Sequence, residues 1–272
     1  MTYESHGPEV LDYFPCRYGR SKLLFRGPRR RLSGDYVAFL GGIETYGKFV
    51  ELPFPTLAEH ETGVKAVNLG CANVGVDAYL TDKSLLEICA NARVTVIQVM
   101  GAQNMSNRYY AVHPRRNDRF LRASSLLHKI YAEVDFTEFS FTRHLLSSLA
   151  AVSPEKFGMV ETELREAWVA RMSDLLDQIG GKVVLLWLAD HAPGEGPIDT
   201  EPMFIDRDMI ARLADRVAET VEIVATPEER AAGFDEMVFG ALEQPAAEEL
   251  LGPVVHRRLA LALAPILKRH LA

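Results

Sequence analysis

The sequence predicts a three-layer α/β/α fold, with a mostly parallel sheet of about five strands covered by helices on both faces. Short, nearly continuous apolar runs of strand length recur along the 272-residue chain, and amphipathic helical patterns alternate with them. Strands buried on both faces read as unbroken apolar runs, and the crossovers of a parallel sheet supply the helices that bury them. The composition, 48% hydrophobic and 25% charged, is that of a globular chain and excludes collagen-like, coiled-coil and disordered classes. A chain of this length buries roughly three quarters of its unfolded surface and needs no disulfide or metal staple.

In chain order, residues 1–34 read as an irregular basic arm, and residues 35–272 as one α/β domain carrying a helical insertion at about 118–180. Asp35–Gly41 is the first strand, ending in glycines. Pro55–Glu61 opens a helix with proline in its first turn. Val64–Gly70 is the second strand, Asp82–Ala92 the helix after it, and Arg93–Gly101 the third strand. Asp118–Val134 and Phe141–Val152 read as helices. Pro154–Ile179 is the strongest helix, with Phe157, Val160, Leu164, Trp168, Met172, Leu175 and Ile179 on one face at three-to-four spacing. Lys182–Asp190 is the fourth strand, Asp206–Thr220 a helix, Val221–Thr226 a weaker fifth strand, and Pro253–Leu271 the closing helix.

The net charge of −7 argues against a general nucleic-acid binder. Its distribution is uneven. Residues 13–34 hold seven cations and no acid, and residues 104–122 hold five arginines against Asp118, which leaves −18 on the rest of the chain. In these windows arginine outnumbers lysine eleven to one, favouring planar recognition of carboxylate, phosphate or sulfate; the alternative is a solvated basic face. Cys16, Cys71 and Cys89 form no metal-binding spacing and suggest a reducing compartment, hence a cytoplasmic protein. No apolar run reaches the ~18 residues of a membrane helix. Residues 1–13 carry Glu4, Glu9 and Asp12 without an apolar core, so no signal peptide is expected there. The absence of HExxH, CxxC and clustered carboxylates gives no reason to expect a metal or cofactor.

In a parallel α/β sheet ligands bind outside the carboxyl ends of the strands, which selects Gly41–Thr45, Gly70–Asn73, Gly101–Asn104 and Asp190–His191. Gly41-Gly42-Ile43-Glu44-Thr45-Tyr46-Gly47, Asn68-Leu69-Gly70-Cys71-Ala72-Asn73, Gly101-Ala102-Gln103-Asn104 and Pro253-Val254-Val255-His256 resemble, in order and spacing, the four blocks of the SGNH (GDSL-type) hydrolases. The resemblance covers residues 35–271 and implies an SGNH-like sheet with its site at the strand ends. It places Ile43 where that family has its nucleophilic serine, Asn73 and Gln103 at the two oxyanion donors, and Pro253 at the aspartate; only His256 keeps its residue type. The arm and Ser106–Phe120 also resemble an uncharacterised bacterial family. Tyr18–Leu24 resembles the phosphosulfate-binding loop of sulfotransferases, although that loop follows a strand and Asp12–Arg17, with Pro15, is a poor one.

Isoleucine cannot attack a carbonyl, so serine esterase chemistry is not expected. His256 is the candidate acid/base, with Glu44 as base or Thr45 as nucleophile beside it; against this, Thr45 and Glu44 suit a helix start, and His256 a surface position opening the last helix. Asn73, Gln103 and Asn104 suggest a polar pocket floor with Gly42 and Ile43, or simple loop bonding. Cys71 beside a helix start is a thiolate candidate, though free cysteine is more often core. His191, next to Asp190, is a weaker acid/base. Arg108, Arg115 and Arg116 are expected to overhang the pocket and bind an anionic group, with Tyr109, Tyr110 and His113 packing a ring or sugar. Arg119 and Arg122 read as neighbours on a helix.

The leading reading is a divergent SGNH-like hydrolase or acyltransferase for a small or saccharide-like anionic substrate. One alternative is a catalytically silent SGNH-like protein that binds an anionic ligand. Another is a sulfo- or phosphoryl transferase using the basic arm. A small-molecule partner is expected, with neither nucleic acid nor membrane.

Overall fold

A computed structural model describes residues 11–272; residues 1–10, including most of the segment read as lacking a signal peptide, lie outside the described residues. After the arm, β1 (Tyr36–Gly41) runs into the four-residue α1 (Ile43–Tyr46) and α2 (Phe54–Thr62). β2 (Lys65–Gly70) is followed by α3 (Val76–Leu80) and α4 (Lys83–Ala90). β3 (Val94–Gln98) leads to an antiparallel hairpin, β4 (Tyr110–His113) and β5 (Arg116–Ala123). Then come α5 (Ser125–Ile130), α6 (Thr142–Val152), α7 (Pro154–Ile179), β6 (Val183–Ala189), α8 (Arg207–Ala211), β7 (Glu219–Val224), α9 (Pro227–Phe234), α10 (Gln244–Glu248) and α11 (Pro253–Leu271).

The main sheet has the order β2-β1-β3-β6-β7, parallel throughout. Alternation along each strand sorts the core into two layers. Tyr36, Ala38 and Leu40 of β1, with Leu185 and Trp187 of β6, pack beneath Leu85 of α4 and Leu164 and Trp168 of α7. Val37 and Phe39, with Val184 and Leu186, face Phe54 of α2 and Leu259 and Leu263 of α11. The fold is therefore three-layered α/β/α. The strand order reverses between β1 and β3, which makes their carboxyl ends the sheet's natural ligand crevice. Among the described residues no single helix is long and apolar enough to cross a membrane.

Two expected helices are corrected. Residues 118–134 do not form one helix: Arg116–Ala123 is strand β5, with Asn117 and Phe120 buried, and the helix starts only at Ser125. The break is local, because the Ser124 hydroxyl accepts the Leu127 N–H and caps α5. Arg119 and Arg122 are thus strand residues. The helix expected over 206–220 stops at Ala211; a 3-10 turn follows and Glu219–Val224 adds to the open edge of β6, where pairing outweighs helix propensity.

The arm is an ordered strap. Cys16 and Phe25 exchange two 2.9 Å backbone hydrogen bonds, closing a loop whose tip is Gly19–Lys22. Tyr18, Leu23 and Phe25 are buried in the helix-covered core. Arg26, 8% exposed, donates to the carbonyls of Gly47 at 2.5 Å, Val50 at 2.7 Å and Glu51 at 2.8 Å. Burial lowers the proton affinity of this guanidinium, an effect opposed by Tyr13, Tyr46 and Glu51. Further along, Arg30 pairs with Glu59 at 2.6 Å, and Lys65 Nζ donates to the carbonyls of Arg31 and Ser33.

Removing the Arg26 guanidinium takes a charged donor from three carbonyls in a largely buried site. Arg26→Ala is expected to lower the unfolding free energy by about 3 kcal/mol, whereas Arg30→Ala, which breaks a more exposed pair, costs about 1 kcal/mol or less. Urea denaturation of the two variants measures the contrast; equal losses would show that Arg26 does not anchor the arm.

Candidate functional site

The crevice at the switch point is filled from within by Gln98, the last residue of β3. Its Oε1 accepts the Gly42 N–H at 3.2 Å, the Thr45 N–H at 3.1 Å and the Thr45 hydroxyl at 2.6 Å. These amides open α1, which has no side-chain cap of its own, so Thr45 is a donor here and not the expected cap. Gly41 is required beside them, because a Cβ there would lie 2.2 Å from Thr45 Oγ1 and 2.6 Å from Gln98 Oε1. Thr45 is fully buried and Ile43 half-buried, without a polar group to offer.

Glu44 and His256 do come together. His256 is 1% exposed, a buried residue rather than a surface one, and its Nδ1 accepts the Phe54 N–H at 3.0 Å. That bond puts the ring proton on Nε2, which points at Glu44 Oε2 3.6 Å away, an electrostatic approach longer than a hydrogen bond. Glu44 Oε1 accepts the Leu251 N–H at 3.1 Å. A histidine that serves as general base needs a lone pair on the nitrogen facing the nucleophile. Here the lone pair is turned to a backbone amide and the proton to a carboxylate.

The remaining candidates are engaged with other partners. Gln103, 2% exposed, donates from Nε2 to Glu201 Oε1 at 2.5 Å, and Arg143 pairs with the same oxygen at 3.1 Å. Asn104 Oδ1 accepts the Thr142 hydroxyl at 2.8 Å. Asn73 is exposed in the left-handed region at φ 62°, and its carbonyl accepts the Asp118 N–H at 3.4 Å. No hydrogen bond among the described residues links His256, Gln103 and Asn73. His191 has its ring nitrogens 3.1 Å from the carbonyls of Ala192 and Glu201, while Asp190 pairs with Arg230. Burial pushes the Cys71 thiol up to about 11, against the expectation of a thiolate. Tyr109 and Tyr110 are core residues, 6% and 1% exposed, so neither presents a ring to a ligand. His113 Nδ1 accepts the amides of Arg115 and Arg116 and shapes the hairpin turn. Arg108 is engaged by Glu163 at 3.4 Å.

The two basic segments meet elsewhere. A cavity of about 890 Å³ lies on the outer side of α3 and α4, between the tip of the arm and the tip of the β4–β5 hairpin. Arg20 and Lys22 from the arm, Lys83 from α4 and Arg115 from the hairpin line it, with the acids Asp82 and Glu87. Gly19, at φ 54°, sits against Ser84, where a Cβ would come within 2.8 Å, and the Arg20 N–H bonds to Ser84 Oγ at 3.0 Å. The Asp82 carboxylate is spent on the amides of Ser84 and Leu85. No ion pair engages Arg20, Lys22, Lys83 or Arg115 among the described residues. Arg116, at the same hairpin, does not line the cavity. Tyr18–Leu24 neither follows a strand nor opens a helix, unlike the sulfotransferase loop it resembles.

Sequence reasoning missed Gln98 and Lys83. A glutamine ending the strand-forming run Val94–Ile97 was a usable signal for Gln98. Nothing distinguishes Lys83 from any solvated lysine until the arm is seen folded over it.

Comparison with known proteins adds family membership. No curated protein matches the chain. Among solved structures, a gut microbial diltiazem-metabolizing enzyme aligns at 12% identity and a TM-score of 0.38, over 87% of this chain and 47% of its own, so the chain spans about half the length of that protein. A family model described as a domain of unknown function, DUF6473, matches residues 1–271. The chain belongs to the DUF6473 family.

Proposed function

We propose that this protein binds a small anionic ligand on an SGNH-like scaffold whose hydrolytic centre is closed, the second of the readings drawn from the sequence. The observation that carries it is the convergence of the arm and the hairpin, distant in sequence, on one cavity with four cations. Gathering unengaged like charges is unfavourable, the more so at low salt. A bound anion would repay that cost. The cavity volume is also that of a small-molecule site.

Hydrolysis or acyl transfer by the serine mechanism is disfavoured three times over. Ile43 stands at the nucleophile position, Pro253 at the aspartate, and His256 holds its proton on the wrong nitrogen for a base. The other nucleophile candidates fare no better: Thr45 is fully buried with its hydroxyl on Gln98, and Cys71 is a neutral thiol at physiological pH. The free thiols of Cys16, Cys71 and Cys89 fit the cytoplasmic location expected from the sequence.

Three expectations follow. p-Nitrophenyl acetate is turned over no faster than background by the wild type, and Ile43→Ser brings no gain, because the triad acts as a unit; turnover abolished by His256→Ala would overturn the closed-centre reading. His256→Ala instead lowers stability by about 2 kcal/mol in urea denaturation, since it strands the Phe54 amide and opens a cavity. In a thermal-shift panel of sugar phosphates, nucleotides and sulfates at two salt concentrations, at least one anion raises the melting temperature, and Arg115→Ala blunts the rise. A panel in which no anion moves the transition defeats the proposal.

A further inference from the structure

The lining of the cavity narrows the ligand class, an inference that rests on the anion-binding reading above. Its four cations face two acids, Asp82 and Glu87. The lining therefore carries a net charge of about +2, which matches a phosphate monoester at about −1.5 to −2 near neutral pH. A carboxylate or a sulfate monoester, each carrying −1, leaves half of that charge uncompensated.

Volume and chemistry constrain the rest of the molecule. A phosphate group alone fills only a small part of about 890 Å³, so an organic portion of monosaccharide size or larger fits beside it. Among the described residues, no aromatic side chain lines the cavity. A nucleobase would lack the stacking surface on which base recognition commonly relies. Polar groups suited to hydroxyls are present instead. The Glu87 carboxylate makes no side-chain hydrogen bond among the described residues and is free to accept. Ser84 Oγ accepts the Arg20 amide and keeps its own proton to donate. Leu23, Ala78 and Pro114 add a small apolar margin suited to the C–H face of a sugar ring.

We propose that the cavity between the arm, α4 and the β4–β5 hairpin is a binding site for a sugar phosphate, with Arg20, Lys22, Lys83 and Arg115 on the phosphate and Glu87 and Ser84 on the hydroxyls. The ligand then bridges three segments of the chain, so it fastens the arm tip to the core as it binds.

Isothermal titration of the full chain tests this with glucose 6-phosphate, ribose 5-phosphate, glucose, inorganic phosphate and AMP. At least one of the two sugar phosphates is expected to bind ten-fold or more tightly than glucose, inorganic phosphate and AMP. Arg115→Ala and Lys22→Ala each weaken it ten-fold or more without lowering the melting temperature of the free protein. Arg212→Ala, which breaks an exposed pair with Glu166, leaves it unchanged. Glu87→Gln weakens sugar phosphate binding and spares inorganic phosphate. If AMP or inorganic phosphate binds as tightly as the tighter-binding sugar phosphate, this inference fails and the anion-binding reading stands. If an anion binds but Arg115→Ala and Lys22→Ala have no effect, the cavity is the wrong site. If no anion binds, both readings fall.

Discussion

One amide oxygen, Gln98 Oε1, decides what the switch point of this sheet can do. The crevice between β1 and β3 is where a doubly wound sheet offers its helix-start amides to a ligand. Here those amides are taken by a side chain of the neighbouring strand. The consequences spread from that contact. α1 survives as a four-residue turn without a cap because Gln98 satisfies its first N–H groups. Gly41 must lack a side chain to let the glutamine in. Glu44, carried on the same turn, is left facing α11, where it receives the Leu251 amide and approaches His256.

The His256 ring then reads as architecture. With Nδ1 on the Phe54 amide and Nε2–H toward Glu44, it joins the start of α2, the α1 turn and the first turn of α11 in a dry layer. Matching a residue type in a sequence resemblance is weak evidence for a catalytic role, because the role depends on which nitrogen holds the proton. An imidazole that accepts a backbone amide and turns its N–H toward a carboxylate is a good structural fastener and a poor base.

Much of the fold was legible in the sequence because it rests on strong local signals. Val183–Ala189 is apolar at every position, and Pro154–Ile179 combines an N-terminal proline, a Ser153 cap and a closing Gly180 with a clean apolar face. The failures came where tertiary pairing chose between weak local preferences. Arg116–Ala123 holds three arginines and one phenylalanine, a pattern that fits a helix face as well as a half-exposed strand, and only pairing with β4 settles it. The segment after Asp206 carries helical periodicity, yet the unpaired edge of β6 claims its last residues. The site was less legible than the fold. Strand ends can be read from a one-dimensional pattern, whereas the identity of the group that fills a crevice depends on rotamer and register. Gln98 could be flagged only as a polar residue out of place.

The charge pattern was visible in the sequence, and its meaning depends on how the arm is held. Eleven arginines and one lysine in two segments could have been dispersed by mutual repulsion. Instead they divide by function. Arg26 and Arg30 are anchors, bonded to three carbonyls and to Glu59; Arg108 is tied to Glu163. The first two follow the arm tip in the chain, and the third lies at the base of the hairpin. The stability they contribute is available to hold Arg20, Lys22 and Arg115 close to Lys83 against repulsion. The crevice that the sheet topology favours is closed by Gln98, and the arm and the hairpin, neither of which belongs to the sheet, build another.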